Sequence, residues 1–125
     1  LHTAYRRQRQ MCIRDRRYSD IIEIAKDQIR KTYMSDEISL NTIAAEVGMS
    51  PSYFSSIFSK EMGKTFVEYL TEIRMDRAKE LLMCSSMKTS EIGYEVGYKD
   101  PHYFSYIFKK TQNCTPKEFR ARGKE

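Results

Sequence analysis

The chain has 125 residues, 40% of them apolar and 31% charged, and a formal net charge of +5. That length supports one domain with a true core, or two small subdomains that share structure. No run of about eighteen apolar residues could cross a bilayer, and the start lacks the apolar segment and cleavage site of a secretory signal, so a cytoplasmic protein with no membrane partner is expected.

Residues 1–16 are the first feature in chain order. They hold five Arg and one Asp, a net +4, which leaves only +1 for residues 17–125. RRQRQMCIRDR, at residues 6–16, resembles the in-frame translation of a transposon-type DNA-sequencing adapter. Residues 1–5 fit the bases and variable index that precede it. We expect residues 1–16 to be adapter-derived and non-native, to be excluded from fold reasoning, and the natural chain to be truncated at its front. The competing reading is an arginine-rich arm of the kind that homeodomains lay in a minor groove. A match over the whole segment, index included, has no reason to occur on that reading. With the segment set aside, global charge says little about a partner, although residues 88–125 carry +3 and residues 17–87 carry −2. Three widely spaced cysteines, Cys12, Cys84 and Cys114, suggest neither a disulfide framework nor a thiolate metal site.

Ile21, Ile22, Ala25, Ile29 and Tyr33 form an apolar stripe that predicts a helix over about residues 20–33, ended by SDE at 35–37. No segment alternates apolar and polar residues for long enough to predict a strand, so the expected fold class is all-α. The most informative pattern is an internal repeat. Ile43, Glu46, Val47 and Gly48 recur forty-nine residues later as Ile92, Glu95, Val96 and Gly97. After one inserted residue, Pro51, Tyr53, Phe54, Ser55, Ile57, Phe58, Lys60, Thr65 and Glu68 recur fifty residues later, from Pro101 to Glu118. Two copies are too few for a solenoid and indicate paired modules.

Each copy is punctuated as a helix-turn-helix. Gly48 and Gly97 end a short helix where the chain must reverse. Ser50-Pro51 and Asp100-Pro101 then supply an N-cap and a proline at the first helical position. Thr65-x-x-Glu68 and Thr115-x-x-Glu118 spell capping boxes for the following helices. A connection this short predicts a steep crossing that puts the second helix across a major groove.

In that second helix Phe54, Ile57 and Phe58, and in the other copy Phe104, Ile107 and Phe108, form the core stripe. The opposite stripe is Ser52, Ser55, Ser56 and Ser59 in the first copy and His102, Ser105, Tyr106 and Lys109 in the second. Small hydroxyls let a helix approach base edges closely, and an aromatic ring suits thymine methyls. A polar stripe alone is more often a solvated face; its repetition beside a doubled turn favours groove contact. Lys60, Lys64, Lys99, Lys109, Lys110, Arg120 and Arg122 are candidates for phosphates, which position a protein without reading sequence. Tyr53 and Tyr103 are expected to pack against the core stripe. Between the copies, FVEYLTEIRMDRAKELLM predicts a continuous helix of about 17 residues, roughly 25 Å long. Its Arg74, Asp76 and Lys79 read as exposed charges.

Over residues 20–122 the chain resembles the DNA-binding domain of the AraC-type (AraC/XylS) transcription regulators. IAAEVGMSPSYFSSIFSKEMGKTFVEYL, RMDRAKELL and IGYEVGYKDPHYFSYIFKKTQNCTPKEFR carry the resemblance. It implies about seven helices, in two helix-turn-helix subdomains joined by a long helix. We divide the chain as residues 17–64, first subdomain with its leading helix; 65–84, linker helix; and 85–125, second subdomain. The resemblance implies double-stranded DNA as partner, with base reading by Ser52, Ser55 and Ser56 and by His102, Ser105 and Tyr106. Family members often carry arginine or glutamine at some of these positions. An all-serine first unit suggests shape or water-mediated readout there instead.

In the family a sensory or receiver domain usually precedes this one, and RNA polymerase is a partner. The opening helix followed by ISLNTIAAEVGMS is similar to response-regulator output domains, which implies a missing N-terminal domain. The alternatives are a stand-alone regulator of this type, or a helical protein-interaction module. No enzyme is expected: no nucleophile with a base, paired carboxylates or phosphate-cradling loop is present. No cofactor is expected, and no metal, since the only histidine besides His102 is His2, within residues 1–16.

Overall fold

The structure is a computed structural model that describes residues 10–123, with side chains from residue 18 onward. The predicted non-native segment therefore lies outside the described residues, apart from the helical backbone of its last part. Among the described residues there are seven helices and no strand: α1 (Gln10–Thr32), α2 (Leu40–Glu46), α3 (Pro51–Met62), α4 (Phe66–Cys84), α5 (Thr89–Glu95), α6 (Pro101–Gln112) and α7 (Pro116–Gly123). Helix α1 begins ten residues earlier than the stripe predicted. No glycine or proline interrupts residues 10–20, so no strong helix breaker stops the helix from extending.

The buried side chains form two clusters. The first gathers Ile22, Ala25 and Ile29 of α1, Ile43 and Ala44 of α2, and Phe54 and Phe58 of α3. The second gathers Ile92 and Val96, then Phe104 and Phe108 of α6, with Cys114. Helix α4 serves both. Its Phe66, Tyr69 and Leu70 enter the first cluster, and its Met75, Ala78 and Leu82 enter the second. At 19 residues it is about 28 Å long. In each cluster the phenylalanines sit in tilted or edge-on contact, 5.6 Å between the rings of Phe54 and Phe58 and 6.0 Å between those of Phe104 and Phe108. All four rings are fully buried, each contributing roughly 1.5–3 kcal/mol by burial.

The helix ends follow the local chemistry of the sequence. Ser50 caps α3 by accepting from the Tyr53 N–H, and Asp100 caps α6 by accepting from the His102 N–H. Both threonine–glutamate capping boxes are closed. The backbone N–H of Thr65 donates to Glu68 Oε1 at 2.8 Å and that of Glu68 to Thr65 Oγ1 at 3.1 Å, and the distances are the same for Thr115 and Glu118. A further box, Ser39 with Thr42, opens α2. Helices α3 and α6 end on a left-handed residue, Gly63 (φ 72) and Asn113 (φ 64), the two residue types that tolerate it best.

Candidate nucleic-acid interface

The reversal into each second helix is a Schellman turn. Gly48 N–H donates to Ala45 O and Met49 N–H to Ala44 O; Gly97 N–H donates to Tyr94 O and Tyr98 N–H to Gly93 O. These bonds satisfy the carbonyls that α2 and α5 leave unpaired, and they require a positive φ at the glycine. The observed values are 72° at Gly48 and 112° at Gly97. The capped N-terminus of α3 or α6 follows within a few residues. The first helix of each pair thus packs on the second, and the second buries its phenylalanine stripe and turns its polar stripe outward.

The outward stripes differ between the copies. On α3, Ser52 and Ser56 are exposed, and Ser55 and Ser59 are half-buried. On α6, His102, Tyr106 and Lys109 are exposed, and Ser105 is half-buried. Tyr106 lies beside Tyr103, 6.3 Å between ring centroids, and the Lys110 ammonium stands 5.8 Å over the Tyr106 ring. The two tyrosines predicted to pack do touch neighbours, but stay about half exposed, Tyr53 at 48% and Tyr103 at 51%. The Tyr53 hydroxyl is 2.8 Å from that of Tyr18 on α1, whereas Tyr103 packs on the Tyr98 ring at 5.8 Å. Their position one residue before the buried phenylalanine puts them at the edge of the core stripe instead of within it.

The cations predicted to meet phosphate fall into two groups. Lys60, Lys109, Lys110 and Arg122 are exposed. Lys64 is hydrogen-bonded to Glu72, which holds its ammonium above the usual lysine range. Lys99 is paired with Asp36 at 2.8 Å. Arg120 is half-buried and donates from Nε to Leu82 O (3.0 Å) and from Nη2 to Ser85 O (3.2 Å), capping the C-terminal end of α4.

Arg74 requires a correction. Expected as an exposed charge, it is 8% exposed and lies where the two clusters meet. It donates from Nε to Tyr33 O (2.8 Å) and from Nη2 to Ser35 O (3.0 Å). A signal was available in the sequence: Arg74 follows Leu70 and precedes Ala78 by one helical turn each, on the buried face of α4. Among the described residues no group of three His, Cys, Asp or Glu side chains converges, and no helix is long and apolar enough to cross a membrane.

A family model described as a helix-turn-helix domain matches residues 43–122. The C-terminal domain of AraT, a response regulator from Geobacillus stearothermophilus, superposes with a TM-score of 0.80 at 35% identity, over 82% of this chain and 84% of that one. The C-terminal domain of the two-component response regulator YesN from Fusobacterium nucleatum gives 0.77 at 35% identity, over 78% and 95%. By sequence, an HTH-type transcriptional regulator in the cgkA 5′ region of Pseudoalteromonas carrageenovora is 36% identical over 100 residues, 80% of this chain. The chain spans 58% of that curated relative's length. With both turns, both capped second helices and the joining helix matched, the chain belongs to the AraC-type family of helix-turn-helix DNA-binding domains.

Proposed function

We propose that the chain is the output part of a cytoplasmic transcription regulator and binds double-stranded DNA sequence-specifically, laying α3 and α6 into successive major grooves. The observation that carries this reading is the doubled turn. The same Schellman reversal occurs twice, and each time it presents a capped helix whose outer stripe is polar and at least partly exposed. A helical protein-interaction module would need neither the repeated turn nor its cap. Base edges are read by Ser52, Ser55 and Ser56 in the first groove and by His102, Ser105 and Tyr106 in the second. Phosphates are met by Lys60, Lys109 and Lys110, and by Arg122. Lys64, Lys99 and Arg120 already have partners within the protein and contribute less. Residues 17–64, 65–84 and 85–125 act as reading unit, spacer and reading unit. Residues 1–16 take no part.

The response-regulator relatives favour an N-terminal receiver or sensory domain as a further partner, over a stand-alone regulator, with RNA polymerase as the downstream one. The test is selection from a random duplex library at about 0.15 M salt, the ionic strength being part of the result, with the whole chain and with residues 17–125. The expected outcome is one asymmetric motif, common to both proteins, with two half-sites about 10 base pairs apart. Binding that depends on residues 1–16, or that selects no motif, rejects the reading.

A further inference from the structure

Arg74 is a buried cation that forms no ion pair with a carboxylate among the described residues. Its partners are the carbonyls of Tyr33 and Ser35, just beyond the C-terminal end of α1. The negative end of that helix's dipole favours a cation there, and the two charge-assisted bonds offset part of the cost of removing the guanidinium from water. The opposite side of the guanidinium belongs to the second unit. Its carbon lies 4.8 Å from the centroid of the Tyr98 ring, a cation–π contact, and Tyr98 closes the turn between α5 and α6. The Tyr98 ring in turn packs on Tyr103 and Phe104, at 5.8 and 5.9 Å, in the first turn of α6.

Gly97 shows how tightly this seam is closed. A Cβ at that position would stand 2.7 Å from Tyr33 O and 2.8 Å from Arg74 Nη2. The turn of the second unit therefore presses directly on the end of α1 and on the arginine. Outside the seam, Lys99 and Asp36 add an exposed ion pair between the same two segments. These contacts brace the units beside the covalent link made by α4.

We propose that Arg74 is a positioning residue that fixes the distance and rotation between α3 and α6, and through them the half-site spacing the protein accepts. This rests on the DNA reading given above for its consequence, but not for its geometry. One added base pair moves a half-site by about 3.4 Å and turns it by about 34°, so a rigid joint must discriminate against it.

Two measurements test the clasp on the full chain. The first needs no DNA. Nitroxides at positions 61 and 111, in a background with Cys12, Cys84 and Cys114 replaced, report the distance between the ends of α3 and α6. A single narrow distribution is expected for the parent, and a broad one for Arg74→Met, which keeps the buried volume while removing the donors. Arg74→Lys, which cannot bond both carbonyls as a fork, is expected to fall between them.

The second measurement uses the selected duplex with its spacer lengthened or shortened by one base pair, and a single half-site. The parent should lose about tenfold or more on either altered spacer, because simultaneous engagement is lost. Arg74→Met should bind the three spacings within about threefold of one another and keep the parent's half-site affinity. A purely structural defect would weaken every duplex alike. An unchanged distance distribution, or an unchanged spacing ratio, overturns the proposal. Failure of the parent to bind any duplex rejects the DNA reading, and the distance measurement then decides the clasp alone.

Discussion

The two helix-turn-helix units share a frame and differ in the face they present. Both have the same turn bonds, the same N-terminal proline, the same phenylalanine pair and the same capping box after the second helix. The outward stripe is all serine in one and, apart from the shared Ser105, histidine, tyrosine and lysine in the other. Even within the frame there is adjustment. Ala44 on α2 is matched on α5 by Gly93, where a Cβ would meet the Phe104 ring at 2.9 Å, so the second helix pair packs closer. The pattern teaches that the backbone path and its support are repeated together, while residues that touch neither core nor turn are free to diverge.

The sharpest way to break the comparison is to damage one frame and watch the other. Phe58→Ala and Phe108→Ala should each cost about 3–5 kcal/mol, a large share of a small domain's stability. Measured by amide hydrogen exchange, Phe108→Ala should expose α5, α6 and α7 first and spare α1, α2 and α3, and Phe58→Ala should do the reverse. Uniform loss of protection in either variant would mean that the shared α4 makes the two clusters a single cooperative body.

The reading faces predict a smaller, asymmetric effect. Replacing His102 and Tyr106 with alanine should weaken binding to the selected duplex by about 1–3 kcal/mol. Replacing Ser52 and Ser56 should cost less than half of that, because water and shape can stand in for hydroxyl contacts. Fluorescence anisotropy at fixed salt gives both numbers. Equal losses would show that the serine face reads bases as directly as the richer one, and would remove the main functional difference between the units.

The frame was legible in the sequence because its signals are local. Gly48, Ser50 and Pro51, then Gly97, Asp100 and Pro101, sit within a few residues of the helix ends they shape, and the repeat shows them twice. The exposed stripes follow from helical periodicity once Phe54, Phe58, Phe104 and Phe108 are assigned to the core. The burial of Arg74 and the internal bonds of Arg120 were hidden for the opposite reason. Their partners are backbone carbonyls 41 and 39, and 38 and 35, residues away, and a carbonyl carries no side-chain identity for a pattern to register. Lys64 and Lys99 hid similarly, since pairing with Glu72 and Asp36 depends on where helices and loops meet. Charge alone could mark these residues as candidates for phosphate, but only packing shows which are already engaged.

The smallest effect concerns what the two frames hold in common. Glu68 and Glu118 both have carboxyls held below the usual carboxylate range, chiefly by the backbone N–H of Thr65 and Thr115 and then by the threonine side chains. A carboxyl whose folded pKa is depressed stabilises the fold above its unfolded pKa, about 4.3 for glutamate, and that contribution is lost as pH falls through the lower folded value. The melting temperature should therefore be flat near neutral pH and decline in acid. Glu68→Gln and Glu118→Gln, which keep an acceptor in the box but cannot ionise, should each flatten that decline slightly and by the same amount. The minor neighbours differ, Lys64 beside Glu68 and Arg122 and Lys109 beside Glu118. Unequal acid sensitivity of the two variants would thus assign the carboxylates to their differing surroundings instead of to the shared box, and would place the divergence of the units inside the frame itself.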